Sequence, residues 1–219
     1  MALSQHKSRL IAGPVGALEV VFHPPRAGGG LADEALVAVV CHPHPQHGGT
    51  MDNKVVTTLV RGYGELGIPA VRFNFRGTGH SEGVYDRGVG EVEDLMAVAR
   101  WVERRYPDAR LLLAGFSFGS GVAGNGAHRL PNCCHLTLVA PPVGRYGFSR
   151  RQDFPCPWLL IMGGKDELVD PAGVFEWARS ISPSPSIIEM PDAGHFFHGH
   201  LVALRKQMVD AVLAQLRDA

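Results

Sequence analysis

The sequence predicts an α/β fold: a doubly wound, mostly parallel sheet with helices on both faces. Three observations lead there. From Ala17 to the C-terminus, apolar runs of strand length alternate with segments of helical periodicity. Several runs, notably Leu36–Cys41, Leu111–Gly115 and Trp158–Gly163, are apolar throughout, the pattern of strands covered on both sides. The chain has 219 residues, 45% hydrophobic and 19% charged, which fits one core and a single domain spanning 1–219.

The elements follow in order. Ala17–Phe22 is the first strand, and Gly28, Gly29 and Gly30 are expected to form a flexible turn. Leu36–Cys41 is the next strand. Val55–Leu66 fits a helix capped by Asp52 or Asn53 and closed by Gly67. Ala70–Phe75 is a buried strand. Val89–Tyr106 is a helix whose apolar positions Val92, Leu95, Met96, Ala99 and Val102 are spaced by three and four, with Pro107 beyond it. Leu111–Gly115 is a strand and Gly119–His128 a helix of small residues. Leu136–Ala140 and Trp158–Gly163 are strands, Pro171–Arg179 a helix with proline in its first turn, Ile187–Met190 a short strand, and Leu201–Leu216 a closing amphipathic helix. There is no internal repeat. Right-handed crossovers in such a sheet place ligand sites beyond the carboxyl ends of the strands. The loops that follow strands are therefore where chemistry is sought.

Composition excludes some functions. Twenty-one basic and 21 acidic residues give a formal net charge of zero, so neither nucleic acid nor an anionic membrane is an expected partner. Arg145, Arg150 and Arg151 cluster, but with Phe148 and Asp153 they read as an exposed loop. The start, Met1 to Lys7, lacks the apolar core of a signal peptide, and no apolar stretch approaches the ~20 residues of a membrane span. Of the four cysteines, Cys133 and Cys134 are adjacent and Cys41 ends an apolar run. With Cys156 they read as free thiols in a reducing compartment, and a cytoplasmic location is expected.

The first chemical motif is Gly115-Phe116-Ser117-Phe118-Gly119, between an apolar strand and a small-residue helix. A serine there must take a strained backbone conformation that exposes its hydroxyl. The residues two before and two after it come close together, and both are glycine. Ser117 then sits at a helix N-terminus, where the dipole favours a developing oxyanion. Cys133 and Cys134 precede a strand and are poor alternative nucleophiles.

A serine hydroxyl needs a base, and histidine serves best near neutral pH. Position selects His195, the first histidine after the last strand, with His198 and His200 as alternatives. An orienting carboxylate should come from a strand-end loop between the two. Asp166 follows Trp158–Gly163 directly. Asp170 is the second choice, though before Pro171 it reads better as a helix cap, and Glu167 is weaker. The order Ser117, Asp166, His195 is the one expected when a nucleophile elbow tops a parallel sheet.

Cys41-His42-Pro43-His44-Pro45-Gln46-His47-Gly48-Gly49 follows the strand Leu36–Cys41. Pro43 and Pro45 have no N–H, but His44 does. The backbone N–H groups of His44 and Phe118 are the expected oxyanion hole, stiffened by the two prolines. His42 is expected to brace the loop through a hydrogen bond. A metal site from His42, His44 and His47 is the rival reading, but only Asp52 could supply a nearby carboxylate, so no metal or cofactor is expected. In Phe73-Asn74-Phe75-Arg76-Gly77-Thr78-Gly79-His80-Ser81-Glu82-Gly83, Arg76 and Asn74 either anchor the loop or touch substrate; anchoring is the simpler reading.

Together these motifs resemble the α/β-hydrolase superfamily from about Ala17 onward. His-Pro-His-Pro followed by Gly-Gly at 42–49, Asn-Phe-Arg-Gly-Thr-Gly at 74–79, Gly-Phe-Ser-Phe-Gly at 115–119 and Ala-Gly-His-Phe-Phe at 193–197 look like a subgroup of small bacterial hydrolases near the dienelactone hydrolase-like and peptidase-like branch. The resemblance implies eight strands, with Ser117, Asp166 and His195 as a triad. Dienelactone hydrolases use a cysteine nucleophile where this chain has serine, so their substrate does not carry over. Only Pro141–Pro157 stands where many members insert a lid, which leaves no room for a multi-helix cap. An open, shallow site is expected, walled by Tyr146, Phe148, Phe118 and Phe196. The expected function is hydrolysis of a small ester or thioester through an acyl-serine. Acyl transfer, amide hydrolysis, a metal-dependent hydrolase on the histidine loop and a non-catalytic binding protein stay open as alternatives. The substrate and the oligomeric state are not legible.

Overall fold

The structure is a computed structural model that describes residues 7–146, 148 and 153–217. Eight strands form one sheet: β1 (Arg9–Gly13), β2 (Gly16–His23), β3 (Leu36–Cys41), β4 (Ala70–Phe73), β5 (Arg110–Phe116), β6 (Cys133–Val139), β7 (Trp158–Gly163) and β8 (Ser186–Met190). Their order is β1-β2-β4-β3-β5-β6-β7-β8. β2 is antiparallel to both β1 and β4, and every other pairing is parallel. Five helices complete it: α1 (Lys54–Leu66), α2 (Gly90–Glu103), α3 (Phe118–Ala127), α4 (Pro171–Arg179) and α5 (Leu201–Arg217). Every residue of β3 and β7 is buried, which requires cover on both faces. α1 packs on α5, and α2 packs on α3, so two helix pairs provide that cover. The register β3–β5–β6–β7, with Val40 beside Ala114 and Val139 beside Ile161, brings four strand ends to one edge.

The seven strands read directly from the residues are all present. β1 was not among them. It is a short edge strand whose outer face is open, so its apolar signal is only Leu10 and Ile11. β4 ends two residues before the expected Phe75, because Phe75 N–H turns to the ring of His42 instead of the ladder. α2 stops at Glu103 rather than Tyr106: the N–H groups of Arg105 and Tyr106 both reach Val102 O, which closes the last turn. Cys133 and Cys134 lie inside β6 rather than before it.

Two further expectations change, and a third is narrowed to one of its two candidates. The turn at Gly28–Gly30 is packed rather than loose, since a Cβ on Gly29 would lie 2.1 Å from Gly67 N. Asn53, not Asp52, caps α1 through Val55 N–H at 2.8 Å, while Asp52 pairs with Arg72. In the loop expected to be exposed, Arg145 and Asp153 are exposed and Phe148 is buried; Arg150 and Arg151, like Met1, lie outside the described residues. Among the described residues no helix is long and apolar enough to cross a membrane.

Candidate active site

The elbow between β5 and α3 is strained at one residue. Ser117 has φ 52° and ψ −121°, a conformation that costs about 1–3 kcal/mol and persists only where the surroundings enforce it. They do so here. Ser117 N–H donates to Val139 O at 2.8 Å, and Ser120 Oγ donates to Val139 O at 2.8 Å. A Cβ on Gly115 would lie 2.1 Å from Gly119 O, so the two glycines meet as the sequence requires. Gly119 has a second reason to be glycine: its Cβ would lie 2.5 Å from the carbonyl oxygens of Cys41 and His42. The turn is therefore wedged between the ends of β3 and β6.

The loops after β7 and β8 are zipped together. Gly164 N–H donates to Met190 O (2.9 Å) and Lys165 N–H to Ala193 O (3.0 Å), while a side chain on Gly163 would strike Ala193 O. This carries Asp166 to His195. His195 Nδ1 lies 2.8 Å from Asp166 Oδ2, and its Nε2 lies 3.0 Å from Ser117 Oγ. Asp166 Oδ1 accepts from the N–H groups of Leu168 (2.9 Å) and Val169 (2.8 Å), so both carboxylate oxygens are engaged. The rings of Phe116 and Phe196 flank the imidazole, each 5.1 Å away.

The other candidates do other work. Asp170 caps α4, accepting from Ala172 and Gly173 N–H. Glu167 accepts the backbone N–H of His195 at 3.1 Å, so it braces the histidine loop. His198 stacks on Phe196, and the carbonyl of His200 accepts from Leu204 at the start of α5. Cys41, Cys133 and Cys134 hold no ready thiolate. Burial pushes Cys134 up to about 11 and raises Cys41 further, while the Cys156 thiol and burial raise Cys133.

In the loop after β3, His42 is fully buried with both nitrogens committed. Nδ1 donates to Pro43 O at 2.6 Å, and Nε2 accepts Phe75 N–H at 3.0 Å. Burial pushes its pKa down to about 4, so the ring stays neutral and braces the loop. His44 stacks on His47, with ring centres 4.3 Å apart, and packs against Phe118 and Tyr146. Its backbone N–H meets no acceptor among the described residues. The N–H of Phe118 opens α3, where the first amides have no acceptor in their own helix. Among the described residues no three His, Cys, Asp or Glu side chains converge as a metal would require.

The third motif is an anchor. Arg76 donates to both oxygens of Asp94, 2.8–3.1 Å away, and the pair is buried. Asn74 accepts Met51 N–H and donates to Glu19, tying the loop after β3 to β2. Linear reading missed Asp94, which stands 18 positions from its partner. The signal was present: Asp94 sits in the buried stripe of α2 beside Leu95, where an unpaired carboxylate would be untenable.

Of the expected walls, Phe196 is 41% exposed and Tyr146 half-buried. Phe118 is buried against His44, and Phe148 is not a wall at all. Phe148 fills the space left by Gly121 and Gly124 of α3 and packs on Phe154 and Trp177, so no substrate reaches it. A shallow cavity of about 280 Å³ adjoins Phe196, lined by Thr50, Asp52, Asn53, Lys54 and His198.

A strained serine on a strand–helix turn, within reach of a histidine held by a buried aspartate at the top of a parallel sheet, defines a hydrolase of the α/β type. No family model matches the chain. An alpha-beta serine hydrolase homologue from Coxiella burnetii is 44% identical, with a TM-score of 0.89, covering 96% of this chain and 99% of that one. A member of the α/β serine hydrolases without a lid, from Xanthomonas campestris, is 43% identical, with a TM-score of 0.85 and 94% of each chain covered. An uncharacterized protein of Rickettsia prowazekii is 34% identical over 194 residues, 84% of this chain and 79% of its own. The chain belongs to the α/β serine hydrolases, on the lidless form of the fold.

Proposed function

We propose that the protein cleaves small esters or thioesters through an acyl-Ser117 intermediate. The observation that carries this is the unbroken contact from Ser117 Oγ through His195 to Asp166, at 3.0 and 2.8 Å. In this reading His195 Nε2 takes the hydroxyl proton as Ser117 attacks the carbonyl carbon. Asp166 holds Nδ1–H and stabilises the imidazolium. The oxyanion is met by the backbone N–H groups of His44 and Phe118. Preorganised donors of this kind are worth about 10²–10³ in rate each. His195 then protonates the leaving alcohol or thiol. Water, activated by the same ring, attacks the acyl-enzyme and releases the acid.

The open surface supports short acyl chains. The segment 140–157 between β6 and β7 is too short for a helical lid, and Phe148, which could have lined a deeper pocket, is in the core. Four free cysteines, with Sγ atoms of Cys133 and Cys156 only 3.8 Å apart and unbonded, accord with a reducing compartment such as the cytoplasm.

Labelling with a fluorophosphonate tests the nucleophile. The native chain should label, Ser117→Ala should not, and His195→Ala should label far more slowly. Equal labelling of native and Ser117→Ala rejects the reading. On p-nitrophenyl esters of two to sixteen carbons, kcat/KM should peak at the short end; a steady rise with length rejects the open-site part.

A further inference from the structure

The loop between β4 and α2 meets the histidine loop at His42, through Phe75 N–H, and at His44, through the hydroxyl of Tyr85. At its base, the buried carboxylate of Glu91 in the first turn of α2 accepts the N–H groups of Asp86 (2.8 Å) and Gly88 (2.7 Å). This fixes residues 85–88 against α2. Tyr85 extends from that segment, and its Oη lies 3.0 Å from His44 Nε2. The proton in this contact can be placed. His44 Nδ1 accepts Gln46 N–H at 3.2 Å, so the neutral ring carries its proton on Nε2, which donates to Tyr85 Oη. The carbonyl of His44 is fixed as well, accepting His47 N–H at 3.1 Å and Gly49 N–H at 3.0 Å. Ring and carbonyl are both tied, and prolines flank the residue on either side. The N–H is the one polar group of His44 left unpaired by the described residues.

We infer that Tyr85 is a positioning residue for the oxyanion hole, holding the His44 ring so that the His44 backbone N–H stays aimed at the carbonyl under attack. The inference rests on the reading that this N–H serves the oxyanion. Packing alone does not account for a tyrosine here. Tyr85 already meets the rings of His44 and Phe118, 4.9 and 5.9 Å away, and phenylalanine would make the same contacts. What the hydroxyl adds is one directed bond to the ring. Burial and the Glu91 carboxylate raise the pKa of Tyr85, which keeps the phenol protonated. Burial and the neighbouring His47 lower that of His44, which keeps Nδ1 free for Gln46. Donors fixed before substrate arrives need no reorganisation during attack, and their loosening is felt in kcat rather than in binding.

The test is Tyr85→Phe assayed on a short ester, with thermal unfolding beside it. The expected result is a kcat lower by about tenfold, KM within about twofold, and an unfolding midpoint near native. His44→Asn keeps an acceptor for Gln46 N–H but is too short to reach Tyr85. It should lose at least the same factor, since it also gives up the ring's packing on Phe118 and Tyr146, and the double variant should lose no more than His44→Asn alone, because the hydroxyl acts only through the ring. A boronic acid that mimics the tetrahedral adduct should bind the variants more weakly by the same factor. An unchanged kcat in Tyr85→Phe, or losses that multiply in the double variant, overturns the inference. Ser117→Ala separates the two levels. If it remains as active as native, the acyl-serine reading itself fails. If it is inactive while Tyr85→Phe is fully active, only the role of Tyr85 fails.

Discussion

His195 Nδ1 stands 2.8 Å from Asp166 Oδ2, and the two side chains are 3% and 0% exposed. A buried carboxylate in that position fixes which ring nitrogen carries the proton. Asp166→Asn keeps the shape but offers an amide where the ring needs an acceptor, so the imidazole is driven toward the wrong tautomer. The expected outcome is a kcat lower by about 10³–10⁴ with KM little changed, measured on a short ester. A loss below tenfold would remove Asp166 from the proposed triad.

Asp170 provides the contrast four residues on. Its carboxylate caps α4, and its loss should be a matter of stability alone. Asp170→Ala should lower unfolding free energy by about 1 kcal/mol in urea titrations and leave kcat within twofold of native. The same substitution abolishing activity would reverse the assignment of the two aspartates.

The sequence made the site legible through backbone demands. A serine between two glycines at the end of an apolar strand has one structural explanation, and the positions of Asp166 and His195 after successive strands followed from the parallel sheet. Asp170 before Pro171 also read correctly as a cap. Side-chain partners across elements were less legible. Asp94 and Tyr85 acquire meaning only when the elements are docked, since each binds a group that spacing alone does not bring near, whereas Glu91 caps the start of its own helix through Asp86 and Gly88. Phe148 was misread because burial there depends on Gly121 and Gly124 of another element. β1 was missed because only Ile11 of its five residues is buried, which leaves little apolar pattern.

Gly119 gives a direct check on the wedge beneath Ser117. A Cβ there would lie 2.5 Å from two carbonyl oxygens at the end of β3, a contact that backbone must move to relieve. Gly119→Ala should destabilise by about 1–3 kcal/mol and cut kcat further than stability explains, because the same shift displaces the elbow and the loop carrying His44. Thermal unfolding and ester turnover on the same preparation read both effects. Native turnover in this variant would mean that the elbow tolerates movement.

Two neutral histidines make stability depend on pH in a defined window. His42 is pushed down to about 4 by burial, against a bond to Pro43 that works the other way. His135 is pushed down to about 4 by burial as well; its Nε2 pairs with Gln215, and its buried Nδ1 has no partner among the described residues. Both pKa values lie below the ordinary 6.5, so between about 6.5 and 4 the unfolded chain binds protons that the folded chain refuses. Their stabilising contribution is therefore complete above about 6.5 and is lost as pH falls toward 4. The loss is roughly 2 kcal/mol per ring between pH 6.5 and 5. Glu19, which burial opposes but hydrogen bonds from His80 and Asn74 hold ionised, is pushed down to about 2, and its contribution fades only below its ordinary 4.5. Urea unfolding at pH 7.5, 6.5, 5.5 and 5.0 should show a flat region followed by a steep decline. His135→Leu should make that decline shallower, whatever it does to stability at pH 7.5. Constant stability across the four pH values would mean that neither ring resists protonation in the folded chain.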